Sequence, residues 1–409
     1  MASTKLNHVL IIGAGTSGLA SALALHALNI PCTIYELRAA PSTIGGAINL
    51  TPNAIRCLDH LGVLQHLKGK GCVTRSIGIF SAFGGQFIGE LSFRNIDKFQ
   101  YHALRISRAQ LLQGFLDALE GTSVKIKYGK KMVALTESEE SVEATFEDGT
   151  IAKGDILLGC DGIHSIARTK LVEPTRTPIF TNTAAAYGFV PVSFISSSIH
   201  FEDASVNVSR RGSLLAAFCD PDKEMLYFAG VMEVKSELDH EGWKAQSSDQ
   251  EATRKEIQSR FGDLKKPFLT EMLDKVEDLF FYPIYVLSRH GKWSSKRVML
   301  LGDAAHAMPP VGESVGFALE DVTLFTRILE VHAGEPISKQ FSIYEDLRRS
   351  IIDDAYKEAE YRWEGVRDKG WFGLKLREWM TPIFLWWTKN AREDAWGLDI
   401  RDLVPSNPA

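Results

Sequence analysis

The sequence predicts an α/β fold: a parallel sheet with helices, interrupted by an inserted antiparallel β-sheet and followed by a C-terminal helical extension. Three stretches predict it. HVLIIGAGTSGLASALALHALNIPCTIYEL reads as strand, tight turn, helix, strand. From about Thr175 to Tyr285, AAAYGFVPV, ASVNVSRRGSLLAAFC and EMLYFAGVMEV alternate and are rich in β-formers, the mark of an antiparallel sheet. KRVMLLGDAAH then returns to a buried-strand pattern, and from Ser342 onward the chain is helical and Trp-rich.

In the first stretch, Val9 to Ile12 is wholly apolar, as a strand buried on both faces requires. Gly13, Gly15 and Gly18 form G-x-G-x-x-G, with Ser17 at the helix start. Gly13 permits the tight turn, Gly15 lets a pyrophosphate approach the backbone, and Gly18 lets helix and strand pack closely. A phosphate held there meets the exposed N–H groups of a helix N-terminus. Leu19, Leu23 and Ala27 supply the helix's inward face. Glu36 ends the second strand, 18 residues after Gly18, where a carboxylate accepts ribose hydroxyls. These parts in register predict dinucleotide binding without choosing between NAD and FAD. Arg38 follows closely and serves either a phosphate or solvent.

Further along, Gly45-Gly46 marks a flexible loop. Thr51 to Leu61 has helical periodicity, with Ala54, Leu58 and Leu61 on one face. RSIGIFSAFGGQFIGEL reads as two strands around an FGG hairpin, and ISRAQLLQGFLDALE as an amphipathic helix opened by Ser107. Val124 to Gly162 reads as short strands with turns at SEES and EDGT, the second an Asp-Gly hairpin signal. There is no internal repeat and no low-complexity tract.

With 409 residues, 45% hydrophobic and 24% charged, the composition is globular and suggests two or three domains or one large composite. A net charge of −5 leaves no basic footprint for nucleic acid. Five scattered cysteines without a C-x-x-C pair predict free thiols in a reducing compartment, a cytoplasmic location and no metal site. MASTKLNHVLII lacks a basic region followed by a free-standing apolar segment, so no secretory signal is expected. WMTPIFLWWTKN is much shorter than the ~20 residues a spanning helix needs and contains Pro382, so no transmembrane segment is expected.

The N-terminal glycine motif is followed, in order, by GDILLGCDGIHSIAR (Gly154 to Arg168) and GDAAHAMPP (Gly302 to Pro310). Over roughly residues 6 to 350 this combination resembles the group A flavin-dependent monooxygenases, the fold of p-hydroxybenzoate hydroxylase and salicylate hydroxylase. The tail resembles fungal-type members loosely. The resemblance implies an FAD-binding Rossmann-like domain of residues 1–75, 105–175 and 290–345. It further implies a substrate-binding β-sheet domain of residues 76–104 and 176–289, and a helical region at 346–409.

It also implies FAD as the resident cofactor. Asp161 and Gly162 would contact it and help nicotinamide access. Arg108 would bond its pyrophosphate or ribityl region, and Gly46 and Ala47 belong to the loop that grips a mobile flavin. Asp303 would bond a ribityl hydroxyl while Gly302 allows close approach. The helix beginning near Gly312, with Gly316 in its first turn, would point its positive end at the flavin's N1–C2 carbonyl edge, where negative charge gathers on reduction. A second G-x-G-x-x-G with strand context is missing, so NADPH or NADH is expected as a transient reductant.

The chain departs from the family pattern twice. Where P-P-x-x-G-Q-G-x-N-x-A is common, it reads PPVGESVGFALED: Glu313 and Ser314 replace Gln and Gly, Gly316 replaces Asn, and one residue is missing. A charge beside a reduced flavin is unfavourable, so Glu313 is expected to point away. The frame R-G-x-V-P reads YGFVP, so Tyr187 stands where an Arg clamps phenolate or carboxylate. Tyr donates one hydrogen bond and is uncharged near neutral pH, so a strongly anionic substrate gripped at that point is not expected. Tyr187, with Tyr227 from MLYFAG, is the candidate catalytic pair; a packed strand aromatic is the competing reading. Arg211 is expected in solvent, and His306 in a structural role, bonding backbone. Trp386-Trp387 is expected to close the tail over the substrate domain.

These lines together predict an FAD-dependent, NAD(P)H-consuming monooxygenase. One oxygen of O2 would pass, by way of a flavin C4a-hydroperoxide, to a small organic substrate, aromatic or prenylated and of secondary-metabolite type. Hydroxylation and epoxidation both fit. An FAD-dependent oxidase or dehydrogenase on the same fold, and a non-catalytic flavin-binding protein, are the alternatives. Substrate and O2 are the expected partners, with monomer and homodimer both open.

Overall fold

A computed structural model describes residues 6–43, 45–82, 84–234, 237–238, 242–243, 248–262, 264–310 and 312–405. Its first sheet is all parallel, in the order Val298–Leu300, Ile156–Gly159, Val9–Ile12, Cys32–Tyr35, Lys125–Lys127. The first four of these strands are buried at every residue, which is why their sequences are apolar runs rather than alternating ones. The helix Thr16–Ala27 follows the first strand and packs against the helices Arg108–Leu119 and Ser314–Val331. Leu19 and Leu23 are buried there, whereas Ala27 lies at the exposed end of the helix.

The second sheet has seven strands, in the order Phe280–Val286, Ile179–Pro191, Met225–Glu233, Gly212–Phe218, Ala204–Ser209, Ser76–Ser81, Phe87–Ser92. It is mixed, not purely antiparallel: Ala204–Ser209 runs parallel to Ser76–Ser81. A parallel pair needs a long crossover, and the chain between them passes through the first sheet. Of the FGG turn that joins Ser76–Ser81 to Phe87–Ser92, Phe83 lies outside the described residues. Two three-stranded sheets complete the β-structure. One joins Ala47–Leu50, Ala103–Ser107 and Cys72–Thr74; the other joins Ile151–Gly154, Val142–Phe146 and Met132–Glu137.

The largest core joins the parallel sheet to the helices Ser314–Val331 and Ile337–Glu364. A second core lies between the seven-stranded sheet and the helices Gln250–Phe261 and Pro267–Lys275. Beyond Glu364 come two more helices, Trp371–Trp387 and Lys389–Gly397. Trp396 anchors them, its ring 4.6 Å from Phe93 and 5.8 Å from Phe99. Trp386 and Trp387 do not close the tail as expected: they are 77% and 75% exposed. Leu385 makes the contact instead, seated on Gly89, where an added Cβ would lie 2.6 Å from its Cδ1. Among the described residues, no helix is long and apolar enough to cross a membrane.

Candidate active site

At the end of Val9–Ile12, Gly13 takes φ +100, and an added Cβ would lie 2.5 Å from the Cys160 carbonyl oxygen. A Cβ on Gly18 would collide with the Gly13 carbonyl oxygen, whereas Gly15 faces open space. Two glycines thus answer to chain packing, and the third leaves room for a ligand. No side chain caps the helix Thr16–Ala27, and its first turn holds no acidic residue. Its first N–H groups are left for an incoming anion.

Glu36 accepts the Ala14 N–H at 2.7 Å and the Arg38 N–H at 2.8 Å, which fixes its carboxylate beside the turn. The Arg38 guanidinium is held by the Ser42 carbonyl at 2.7 Å. With Tyr128 they border a cavity of about 150 Å³.

The second glycine loop meets this turn directly. Gly302 sits at φ 62, ψ −140, and an added Cβ would lie 2.5 Å from Ser17 Oγ. Ser17 is therefore buried against Gly302 rather than turned to the cleft. The Gly302 N–H donates to Asp321 Oδ2 at 2.8 Å, and His306 Nε2 reaches the same oxygen at 2.6 Å. Arg348 donates from Nε to Asp321 Oδ1 at 2.8 Å and pairs with Glu320 at 2.9 Å. His306 thus holds a carboxylate, not the backbone. Burial pushes the Asp321 carboxyl up, but His306 and Arg348 outweigh it and hold it well below the usual carboxylate range. Glu320, Asp321 and Arg348 escaped the sequence reading. The signal for the first two was a pair of acids inside the apolar run GFALEDVTLF.

Asp303 is exposed beside this network. The protein around it disfavours its charge and raises its pKa, against the pull of His306 and Arg108. Asp161 accepts the Ile166 and Ala167 N–H groups at 2.7 and 3.2 Å through Oδ2, while its Oδ1 is buried without a partner. Gly162 follows at φ +72 and faces open space.

Arg108 begins its helix, and its N–H donates to the Gly46 carbonyl at 2.9 Å. Gly46 is at φ +90, and the Tyr187 ring would lie 3.2 Å from an added Cβ. Beyond lies a mostly apolar cavity of about 840 Å³. Its walls come from the seven-stranded sheet, the strand beginning at Ala47, the segment Gly312 to Val315 and the C-terminal helices. Ile48 and Arg108 border both cavities. Tyr187 and Tyr227 come together in the larger one, rings 6.1 Å apart, and Tyr187 stacks on Phe280 at 5.1 Å. Burial pushes both phenols up, so both stay protonated. The Tyr187 hydroxyl is buried with no partner among the described residues.

Glu313 does not turn away to solvent. It lines the large cavity and faces Arg362 at 3.6 Å, and burial raises its carboxyl pKa. Gly312, at φ +94, faces open space, and Val311 lies outside the described residues. Gly316 packs on Thr51 and Ala54, so its small size serves helix packing rather than the cavity wall. Arg211 donates to the Ser259 carbonyl at 3.0 Å. All five cysteines are free and buried, and no described cluster of His, Cys, Asp and Glu could hold a metal ion.

The arrangement fits an extended dinucleotide. There is open space at Gly15 and Gly312, an acceptor on Asp161 without a partner among the described residues, and two cavities that share Ile48 and Arg108 as lining. Comparison with known proteins agrees. Residues 7–359 match the family described as FAD binding domain. YetM of Bacillus subtilis (strain 168), assigned as an FAD-dependent monooxygenase, is 30% identical over 344 residues, covering 82% of this chain and 88% of its own. The 3-amino-4-hydroxybenzoate 2-monooxygenase of Streptomyces cremeus is 25% identical over 354 residues, 86% of this chain and 85% of its own. The crystal structure of Klebsiella pneumoniae HpxO complexed with FAD and uric acid shares the fold, with a TM-score of 0.78 at 21% identity over 97% of this chain and 93% of that one. These relatives are bacterial, and none supports the fungal-type likeness expected of the tail.

Proposed function

The chain belongs to the FAD binding domain family, and from that premise we propose that it is a monooxygenase placing one atom of O2 on a small aromatic substrate, with NADPH or NADH as a transient reductant. When bound, FAD supplies the two-electron chemistry that activates O2 for transfer to the substrate. The chain's own residues hold, orient and shield. Gly15 and the uncapped start of Thr16–Ala27 take the pyrophosphate, and Glu36 takes the ribose. Arg38 borders the adenosine end, and Asp303 takes a ribityl hydroxyl. The start of Ser314–Val331 turns its N–H groups towards the large cavity and favours negative charge there. Tyr187 and Tyr227, protonated, each offer one hydrogen bond to a substrate oxygen. The apolar wall excludes water from the reacting atoms.

Adjacency of the two cavities carries the proposal: Ile48 and Arg108 line both, which supports one elongated ligand lying from Glu36 towards the tyrosine-lined chamber. The aminohydroxybenzoate and uric acid named for two of the relatives are rings of a size that chamber accommodates. Incubation with NADPH or NADH, ¹⁸O2 and a panel of phenols, aromatic acids and prenylated aromatics tests it by product mass. One labelled oxygen per product is expected. Peroxide alone for every panel member would give an oxidase instead, and protein that takes up no FAD would overturn both.

A further inference from the structure

Arg105 lies within the strand Ala103–Ser107 and is only 4% exposed. No hydrogen bond or ion pair to a described residue reaches its guanidinium, and its Nε is buried without a partner. The titratable groups that act on it are Tyr227, Cys219 and Cys72, with no carboxylate among them. Its side chain lines the large cavity. The other deeply buried arginines all have partners, although one nitrogen of Arg348, Nη1, has none among the described residues. Arg348 pairs with Glu320 and Asp321, Arg168 donates to three carbonyls, and Arg56 to the carbonyls of Phe99, Trp396 and Leu398. A buried cation with no counter-charge is strongly disfavoured, so the vacant donors of Arg105 point to a partner that arrives with the ligand.

Asn49 stands directly across the strand pair from Arg105. Opposed residues project from the same face, with Cβ atoms ~5 Å apart. Asn49 also lines the cavity and is 9% exposed; its Oδ1, buried without a partner among the described residues, is an acceptor and so offers itself to a donor on the ligand rather than to the anion. The unpartnered hydroxyl of Tyr187 and the ring of Tyr227 share the same chamber.

We propose that Arg105 forms an anion-binding subsite in the large cavity, and that the substrate is an aromatic molecule bearing a carboxylate. A planar guanidinium offers a carboxylate two parallel N–H donors. The cation missing at position 187 is thus supplied from a different strand, and Tyr187 and Tyr227 border the ring of the bound acid. This specificity rests on the monooxygenase function proposed above.

The test uses FAD-loaded protein and three probe pairs: salicylate and salicylamide, 4-hydroxybenzoate and 4-hydroxybenzamide, 2-naphthoate and 2-naphthamide. Binding is read by calorimetry and thermal shift. At least one acid is expected to bind about 10-fold or more tightly than its amide, Arg105→Met to abolish that preference, and Arg105→Lys to keep part of it. Without any probe, Arg105→Met is expected to raise the melting temperature, because an unpaired buried charge is gone. Should Arg105→Met not fold, Arg105→Gln, neutral and still able to hydrogen-bond, carries the same comparison, with the acid preference expected to be lost. Equal affinity for acid and amide, a preference that survives Arg105→Met, or no binding of any acid overturns the proposal. Arg105-dependent acid binding without ¹⁸O in any product sinks the oxygenase function and leaves the subsite. Label in neutral products, independent of Arg105, does the reverse.

Discussion

The carboxylate of Asp321 accepts the backbone N–H of Gly302 at 2.8 Å and so ties the helix Ser314–Val331 to the residue before Asp303. It also holds His306 and Arg348. Asp321→Ala is expected to destabilise the protein by about 3–5 kcal/mol, because it leaves the buried Arg348 short of a partner. The folded-state pKa is depressed well below the ordinary 3.8, so this contribution is complete above that value, declines progressively as pH falls below it, and is gone only once pH has passed the folded-state value. Thermal melts of the two proteins should therefore converge in acid. A gap that does not narrow between about pH 5 and pH 3 contradicts the ion-pair account.

Gly302→Ala meets two penalties, the backbone region only glycine holds easily and the Ser17 hydroxyl 2.5 Å from the new Cβ. About 1–3 kcal/mol of lost stability is expected in urea unfolding. Adding Ser17→Ala should recover only the steric part. Complete recovery would show that the backbone carries no strain.

Asp303→Ala should weaken FAD retention by roughly 10-fold or more, as loss of a charged hydrogen-bond partner does. Flavin absorbance after gel filtration reads it directly. Retention equal to wild type means Asp303 does not hold the ribityl chain.

Two tryptophans of the tail should behave oppositely. Trp396, 4% exposed between Phe93 and Phe99, is expected to cost about 3–5 kcal/mol when changed to Ala. Trp386, 77% exposed, should change stability by less than about 0.5 kcal/mol as Trp386→Ser. Equal effects in denaturant melts would mean the exposed face is covered in solution.

The parallel sheet was legible because four of its five strands are buried at every residue, and the apolar runs of Val9–Ile12, Ile156–Gly159 and Val298–Leu300 record that locally. The Gly13 turn was legible for a similar reason, since its contacts are made by the motif's own glycines and the strand end at Cys160. The parallel pairing of Ala204–Ser209 with Ser76–Ser81 was not, since alternation marks a face but not a partner. Arg105 shows the same boundary. Strand parity places it inward with Ala103, yet only the assembled walls reveal that nothing inside answers its charge. Asp321 finds its partners 19 residues earlier and 27 residues later, beyond the reach of any local pattern.

Residues matching the family end at 359, yet the chamber is closed on its far side by Tyr361, Trp363, Arg377, Met380, Phe384 and Trp396. That wall is therefore written in a separate stretch of the chain from the nucleotide cradle. A descendant could exchange the wall and admit a different guest while leaving the cradle as it is. Kinship over the shared stretch therefore speaks to the cradle and to one side of the chamber, and leaves the other side to the tail.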